Sequence, residues 1–367
     1  MQAASPTPGT DAAAARPLRI VHVLHSHGYG GAERHALTLM SGLRARGHEL
    51  LYAGPQDAWL TRECRSAGIA TEHLRMSGLF DLPSYLRLRG LLRSWGADVV
   101  HGHLVRASRY AATAARGLRG VVPVCTAHAT TARKHMRGCR HVIAVSQAVK
   151  DRLLANGYRD DGVTVIHNGL PEGPPGDRQA VRQALGIAPG EFALFSAARF
   201  IHDKGQDLMV RALRGCRQPA TLYLAGDPAT PFGAEVQALA GGDTRVRFLG
   251  YRGDVQALLA GFDAYLSASR REAFGLSIAE ACAAGLPVVA TAVGGVPEVV
   301  QDHGNGLLVA SEDVAALSAA IDRLASEPAL ASQLGTAGRQ RYLDRFTVER
   351  MVQSTEALYR RLQEPSR

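Results

Sequence analysis

The stretch Ala264-Tyr265-Leu266-Ser267-Ala268-Ser269-Arg270-Arg271-Glu272-Ala273-Phe274-Gly275-Leu276-Ser277-Ile278-Ala279-Glu280 decides how this chain folds. Ala264–Ser267 reads as a short buried strand. A charged loop follows, then a helix that stops near Gly285-Leu286-Pro287. Strand, loop and helix make half of a βαβ unit, so Glu272 falls at the carboxyl edge of a parallel sheet. The amides of Phe274, Gly275 and Leu276 open the helix, and free amides at a helix start attract anions. Glu280 lies one turn further along the same helix. An acidic first turn explains either glutamate singly, but not the set.

Working outward, the same alternation fills the chain. Strand-like runs occur at 18–24, 49–53, 98–101, 121–126, 141–145 and 163–167, with a helical pattern over 32–46 whose apolar face is Ala36, Leu37, Met40 and Leu43. The turn-rich segment 170–175 interrupts it. It restarts at 192–197, 221–225, 246–249, 264–267, 287–291 and 306–309, with helical runs such as 205–213 and 255–261 between. The predicted architecture is α/β, with two doubly wound Rossmann-like domains facing a cleft. Their expected limits are 18–169 and 170–347, after a flexible tail over 1–17, and two domains suit 367 residues. A last helix, about 348–367, carries Met351, Val352, Leu358 and Leu362 and is expected to pack back across the junction. The tail lacks the apolar stretch of a signal peptide.

Two further constellations follow strands. Arg199-Phe200-Ile201-His202-Asp203-Lys204-Gly205 places two cations at a strand end, an arrangement suited to a diphosphate. A solvated loop with its charge paired to Asp203 is the alternative. His27-Gly28-Tyr29-Gly30-Gly31-Ala32-Glu33 follows the first strand, and its glycines let backbone approach a ligand. It departs from the dinucleotide fingerprint because Glu33 stands where the third glycine belongs.

In this order, the three resemble the retaining glycosyltransferases of the GT-B fold, family 4. Glu272 and Glu280 match that family's pair of glutamates separated by seven residues. The resemblance implies a catalytic set of Glu272, His128, Arg199 and Lys204. Glu272 holds donor-sugar hydroxyls, and Arg199 and Lys204 hold the diphosphate and stabilise leaving-group charge. His128, in Cys125-Thr126-Ala127-His128, faces the donor sugar; a core or capping histidine is the alternative. Donor binding falls to Gly30, Gly31, Phe274, Gly275, Leu276 and Glu280, with Glu280 on the ribose. Gly250-Tyr251-Arg252 resembles the loop bordering the base and adds Arg252. Gly294-Gly295-Val296-Pro297-Glu298 resembles a loop near the ribose. His103, with Arg106 beyond it, falls at the acceptor cleft. His101 and His103 share a strand face, which could suggest metal. With no third ligand evident, no metal site is expected. No cofactor is implied beyond a nucleotide sugar as co-substrate, with UDP the family's commonest carrier.

The charge is lopsided. Residues 1–168 carry +11 and the remainder −2, giving the chain +9. The excess is nearly all arginine, which forks onto phosphate oxygens. Arg87, Arg89 and Arg93 on a leucine-rich helical run over 82–95, with Arg133, Lys134, His135, Arg137 and Arg140, point to an anionic membrane surface. Ordinary packed helices with solvated arginines are the alternative. The expected acceptor is lipid-linked or an oligosaccharide in bacterial cell-envelope glycan synthesis: lipopolysaccharide, exopolysaccharide or glycolipid. The expected place is the cytoplasm, at or near the inner face of the plasma membrane. Five cysteines without a C-x-x-C pair suit a reducing compartment. The uncharged run between Glu280 and Glu298 holds prolines and glycines and reads as a buried strand with turns, not a membrane span. No base-reading module accompanies the basic residues, so nucleic acid is not an expected partner. The competing readings are a nucleotide-sugar epimerase of the same fold and a non-catalytic nucleotide-sugar or carbohydrate-binding protein. Oligomeric state is not legible.

Overall fold

The computed structural model describes residues 16–130, 136–174 and 176–364. The first sheet holds β1 (Arg19–Leu24), β2 (Glu49–Gly54), β3 (Ala70–His73), β4 (Val99–His103), β5 (Val122–Ala127), β6 (His141–Ala144) and β7 (Val163–Val165). Its helices are α1 (Gly31–Ala45), α2 (Trp59–Ser66), α3 (Leu82–Ser94), α4 (Leu104–Ala115) and α5 (Gln147–Ala155). The strands are parallel, in the order β3-β2-β1-β4-β5-β6-β7.

The second sheet holds β8 (Ala193–Ala197), β9 (Thr221–Ala225), β10 (Val246–Gly250), β11 (Ala264–Ser267), β12 (Val288–Thr291) and β13 (Gly306–Val309). These too are parallel, ordered β10-β9-β8-β11-β12-β13. The helices are α6 (Arg178–Leu185), α7 (Gln206–Gly215), α8 (Pro231–Ala240), α9 (Val255–Leu258), α10 (Leu276–Ala283), α11 (Val296–Val299), α12 (Val314–Ser326), α13 (Pro328–Arg345) and α14 (Val348–Gln363). In each sheet the strand order reverses at one point, between β1 and β4 and between β8 and β11. Crevices open there beyond the strand ends.

The sequence reading places the strands within a residue or two, except for β3. That edge strand, Ala-Thr-Glu-His, has no fully buried residue, so no apolar run announces it. Strand alternation splits the first core. Ile20, Leu24 and Val99 face α1, α2 and α14, while Val21, Val23 and Val100 face α3 and α4. The α14 residues Met351, Val352, Leu358 and Tyr359 complete the first of these cores, although the helix follows the second sheet in the chain. Arg46, which caps the end of α1, pairs with Glu349 and Glu356 of α14 at 2.9 and 2.6 Å. The run between Glu280 and Glu298 ends α10 and forms buried β12. Among the described residues no helix is long and apolar enough to cross a membrane, and the cysteines are all free thiols. Arg133, Lys134 and His135, and most of the 1–17 segment, lie outside the described residues.

Candidate active site

The loops after β8 and β11 lie side by side at the second sheet's reversal point. After β8 the chain passes Arg199, makes a 3-10 turn at His202–Lys204 and enters α7 through Gly205. Gly205 has φ +65°, and a Cβ there would collide with the Ala268 carbonyl, so the close approach of the two loops requires glycine. The Lys204 ammonium and Glu272 Oε2 form an ion pair, with side chains only 22% and 16% exposed. Glu272 Oε1 accepts a hydrogen bond from the Ala273 amide at 3.2 Å. Asp203 is not the partner of Lys204. Its carboxylate takes Arg271 at 2.8 Å, and its carbonyl takes the Arg270 amide at 2.8 Å. Arg270 in turn forks onto Asp207 at 2.8 Å through both terminal nitrogens. Burial opposes ionisation of Asp207, but the Arg270 hydrogen bonds prevail and hold its carboxyl below the ordinary range. The Arg199 side chain is exposed and has no ion pair or hydrogen bond among the described residues. One of the two cations is therefore held by Glu272, and the other is free.

Helix α10 begins at Leu276 behind Gly275, whose φ of +97° turns the chain. No side chain caps its first amides, and Phe274 is buried beneath the turn. The Gly294-Gly295 loop packs onto the same segment. Gly295 N donates to the Glu272 carbonyl at 3.2 Å, and a Cβ on Gly294, with φ +52°, would strike that carbonyl.

The first sheet's loops meet this surface. A Cβ on Gly31 would lie 2.8 Å from Leu276 Cδ1, so the glycine loop touches the start of α10. Arg34, one turn into α1, forms an ion pair with Glu280 Oε1; the carboxylate is 4% exposed. Burial works against the Arg34 charge, but Glu280 outweighs it and raises the pKa. Tyr29 is 47% and Tyr251 66% exposed, and both lie within electrostatic reach of Arg34. Arg252 is committed to Asp254 at 2.8 Å. Ser146 Oγ donates to the Ala273 carbonyl at 2.6 Å. Glu298 accepts the first amides of α5, from Gln147 at 2.8 Å and Ala148 at 3.2 Å, and lies 2.9 Å from His167 Nε2.

Beneath the cleft the first sheet carries a layer of imidazoles. Register pairs His22 of β1 with His101 of β4, and His103 follows two residues later on the same face. His35 comes down from α1 and His128 from the end of β5. His22 Nδ1 is 2.9 Å from His103 Nε2, and His103 Nδ1 is 3.2 Å from His128 Nε2. His101 is occupied on both sides, by Tyr359 of α14 and by Thr126 Oγ1 at 2.7 Å. Burial depresses all five, His22 to about 3, His35 to about 4, and the others well below the ordinary value. His128 alone is partly exposed. His103 is fully buried behind His128. Arg106 Nη1 lies 3.1 Å from His25 Nδ1 and donates to the Met76 carbonyl at 3.2 Å.

Sequence reasoning did not single out Arg34, Ser146, His22 or His35. Arg34 and His35 directly follow the glycine loop, where helix periodicity alone turns one toward the cleft and the other toward the sheet.

Residues 29–172 match the family described as Glycosyltransferase Family 4, and residues 177–341 match Glycosyl transferases group 1. The chain belongs to this glycosyltransferase family. Its fold is the family's two-sheet GT-B arrangement. It is 34% identical over 290 residues to the D-inositol 3-phosphate glycosyltransferase of Mycobacterium marinum, covering 67% of this chain and 61% of that one. It is 32% identical over 220 residues to the lipopolysaccharide core biosynthesis mannosyltransferase LpsB of Rhizobium meliloti, covering 56% and 62%. The chain thus spans about three fifths of the length of these two relatives. Anabaena HepE, solved with UDP and glucose, superposes with a TM-score of 0.82 at 25% identity, covering 93% of this chain and 99% of that one. Of the residues expected to carry donor chemistry, Lys204 and Glu272 meet, Gly31 lies against Leu276 and Glu280 pairs with Arg34, while Arg252 is engaged with its neighbour Asp254.

Proposed function

We propose that the chain transfers a sugar from a nucleoside-diphosphate sugar, with UDP as carrier, to an acceptor in cell-envelope glycan synthesis, with retention of anomeric configuration. The observation that carries this reading is the Lys204–Glu272 pair, in the loop that also carries the exposed Arg199. A diphosphate entering the cleft draws Lys204 and Arg199 to its oxygens. Glu272, released from Lys204, accepts hydrogen bonds from sugar hydroxyls. The uncapped amides of α10 add to the anion site. Glu280 takes the ribose diol, and Tyr29 and Tyr251 flank the base.

As the bond from sugar to phosphate weakens, charge builds on the departing diphosphate. Arg199, Lys204 and the helix amides stabilise it electrostatically. His128, neutral in its buried layer, holds a sugar hydroxyl on the opposite wall, with His103 positioning it. The acceptor hydroxyl attacks from the same face as the leaving group and passes its proton to a phosphate oxygen, so the protein need supply no nucleophile. Gly30 and Gly31 close on the phosphates, and Arg106 borders the acceptor. The division at 169/170 assigns the acceptor to the first unit and the donor to the second. The UDP and glucose of HepE and the lipopolysaccharide role in the name of LpsB support the substrate class. An epimerase or binding-only role draws no support from these relatives.

Transfer assays over a panel of nucleotide sugars, with wild type and Glu272→Ala, test the reading. Near-normal transfer by the variant overturns it.

The acceptor face follows from α3. Phe80, Leu82 and Leu86 are 81%, 62% and 59% exposed near Arg87, which among the described residues makes a single 3.4 Å contact, with Glu72. Arg89 is instead tied to the Ala114 and Arg116 carbonyls at the end of α4. We infer that this apolar and basic edge rests on an anionic membrane from the cytoplasmic side. Equal flotation with anionic and neutral vesicles rejects that inference.

A further inference from the structure

We propose that His35, His103 and His128 form a binding site for a zinc-class transition-metal cation, and that the cation, by capturing His128, shuts off sugar transfer. The ligand atoms of these three side chains lie within 4.8 Å of one another. His103 Nδ1 and His128 Nε2 are 3.2 Å apart. Two nitrogens at about 2.0 Å from a tetrahedral zinc stand roughly 3.3 Å apart, so this pair is already spaced for a shared ion. His35 supplies the third ligand. It is 5% exposed, its ring lies 4.8 Å from that of His128, and neither of its nitrogens has a hydrogen-bond partner of ordinary geometry, Asn168 being its polar neighbour. A buried polar group left in that state calls for a partner.

A second triad, His22, His101 and His103, is equally compact, and His103 cannot serve both. In that triad His101 is bound on both ring nitrogens, by Tyr359 and Thr126, and a metal would have to break one of those bonds. In the favoured triad His22 has a different use. Its Nδ1 lies 2.9 Å from His103 Nε2; with the proton of His103 on Nε2 and shared with His22, the lone pair of His103 Nδ1 is left for the ion. Such outer contacts fix the tautomer of a ligating histidine. Three ligands leave a fourth position, on the His128 side that opens to the cleft, for water. The inhibitory half of the proposal rests on the role given to His128 in the transfer reaction; the binding half does not.

The test uses full-length, tag-free protein stripped with chelator. Co2+ is added as a spectroscopic probe, and Zn2+ affinity is measured by competition with a chromophoric chelator. We expect one equivalent of Co2+ with the intense visible bands of a four-coordinate site, displaced by Zn2+. His22→Phe should weaken Zn2+ binding by about 10- to 100-fold, and His35→Ala by more. His303→Ala, at an exposed histidine outside the layer, should bind as wild type. Weak octahedral Co2+ bands in the wild-type protein overturn the site without reliance on any variant. Wild-type affinity in a folded His35→Ala protein does so as well. If the site binds Zn2+ as expected while transfer continues undiminished, the inhibitory half fails and His128 has no part in the reaction.

Discussion

Arg34 of α1 and Glu280 of α10 meet across the cleft as an ion pair, so one contact joins the two sheets at the place assigned to the nucleotide ribose. The carboxylate is buried and the guanidinium a third exposed. Removing Arg34 strands a buried charge. Arg34→Ala should lower stability by about 1–3 kcal/mol, less than for a fully buried pair because solvent screens the arginine. It should also raise KM for the nucleotide sugar more than it lowers kcat. Urea unfolding of the two single variants and of Arg34→Ala/Glu280→Ala checks the coupling, which should make the double variant less damaged than the sum of the singles.

Lys204 and Glu272 are expected to act in turnover rather than in stability. Lys204→Ala should reduce kcat by about 100- to 1,000-fold, the usual scale for losing one charge-stabilising group. Steady-state transfer kinetics beside circular dichroism distinguish this from unfolding. A large fall in melting temperature with unchanged kcat would make the pair structural.

Gly205 gives a conformational test of the same loop. Gly205→Ala places a Cβ at φ +65° and against the Ala268 carbonyl. The strain should cost about 1–3 kcal/mol and move Lys204 away from Glu272. Thermal melts and donor binding should fall together, whereas Gly253→Ala, where a Cβ meets open space, should leave the melt nearly unchanged.

Glu298 sets an acid dependence. Burial opposes its ionisation, but His167 and the Gln147 and Ala148 amides prevail, so its carboxyl lies below the ordinary value of 4.5. The unfolded chain then takes up the proton more readily than the folded one. Its stabilisation is complete above the ordinary carboxyl range and disappears as pH falls through the lower, folded value. Glu298→Gln should lose about 1–3 kcal/mol at pH 7 and flatten the stability profile below the ordinary carboxyl range. Denaturant midpoints across that range measure it.

The alternation of apolar runs and amphipathic helices made the two sheets legible, because buried parallel strands must be apolar on both faces. β3 escaped because an edge strand half in water needs no such run. The donor loops were legible because glycine and charge cluster where strands end. Long-range partners were not. Nothing in the residues around Arg34 says that it will meet Glu280, and the alternative in which the loop charge pairs with Asp203 gave way to Arg271 on Asp203 and Glu272 on Lys204, which only the packing of two loops decides. The histidine layer was partly visible as His101, His103 and His128. Its other members, His22 and His35, come from β1 and α1, and only the packing of strand and helix brings them to the rest.

The chain passes between the two sheets twice, once after β7 and again before α14. At the crossings Leu170 N donates to the Phe346 carbonyl at 2.9 Å, and Leu170 bridges Thr347. Two tethers fastened side by side act as a door hinge: they permit rotation about the line joining them and resist sliding and twisting. Opening and shutting then reduces to a single angle, and cutting the polypeptide before Val348 would remove one pin and uncover the apolar back of the first sheet at the same stroke.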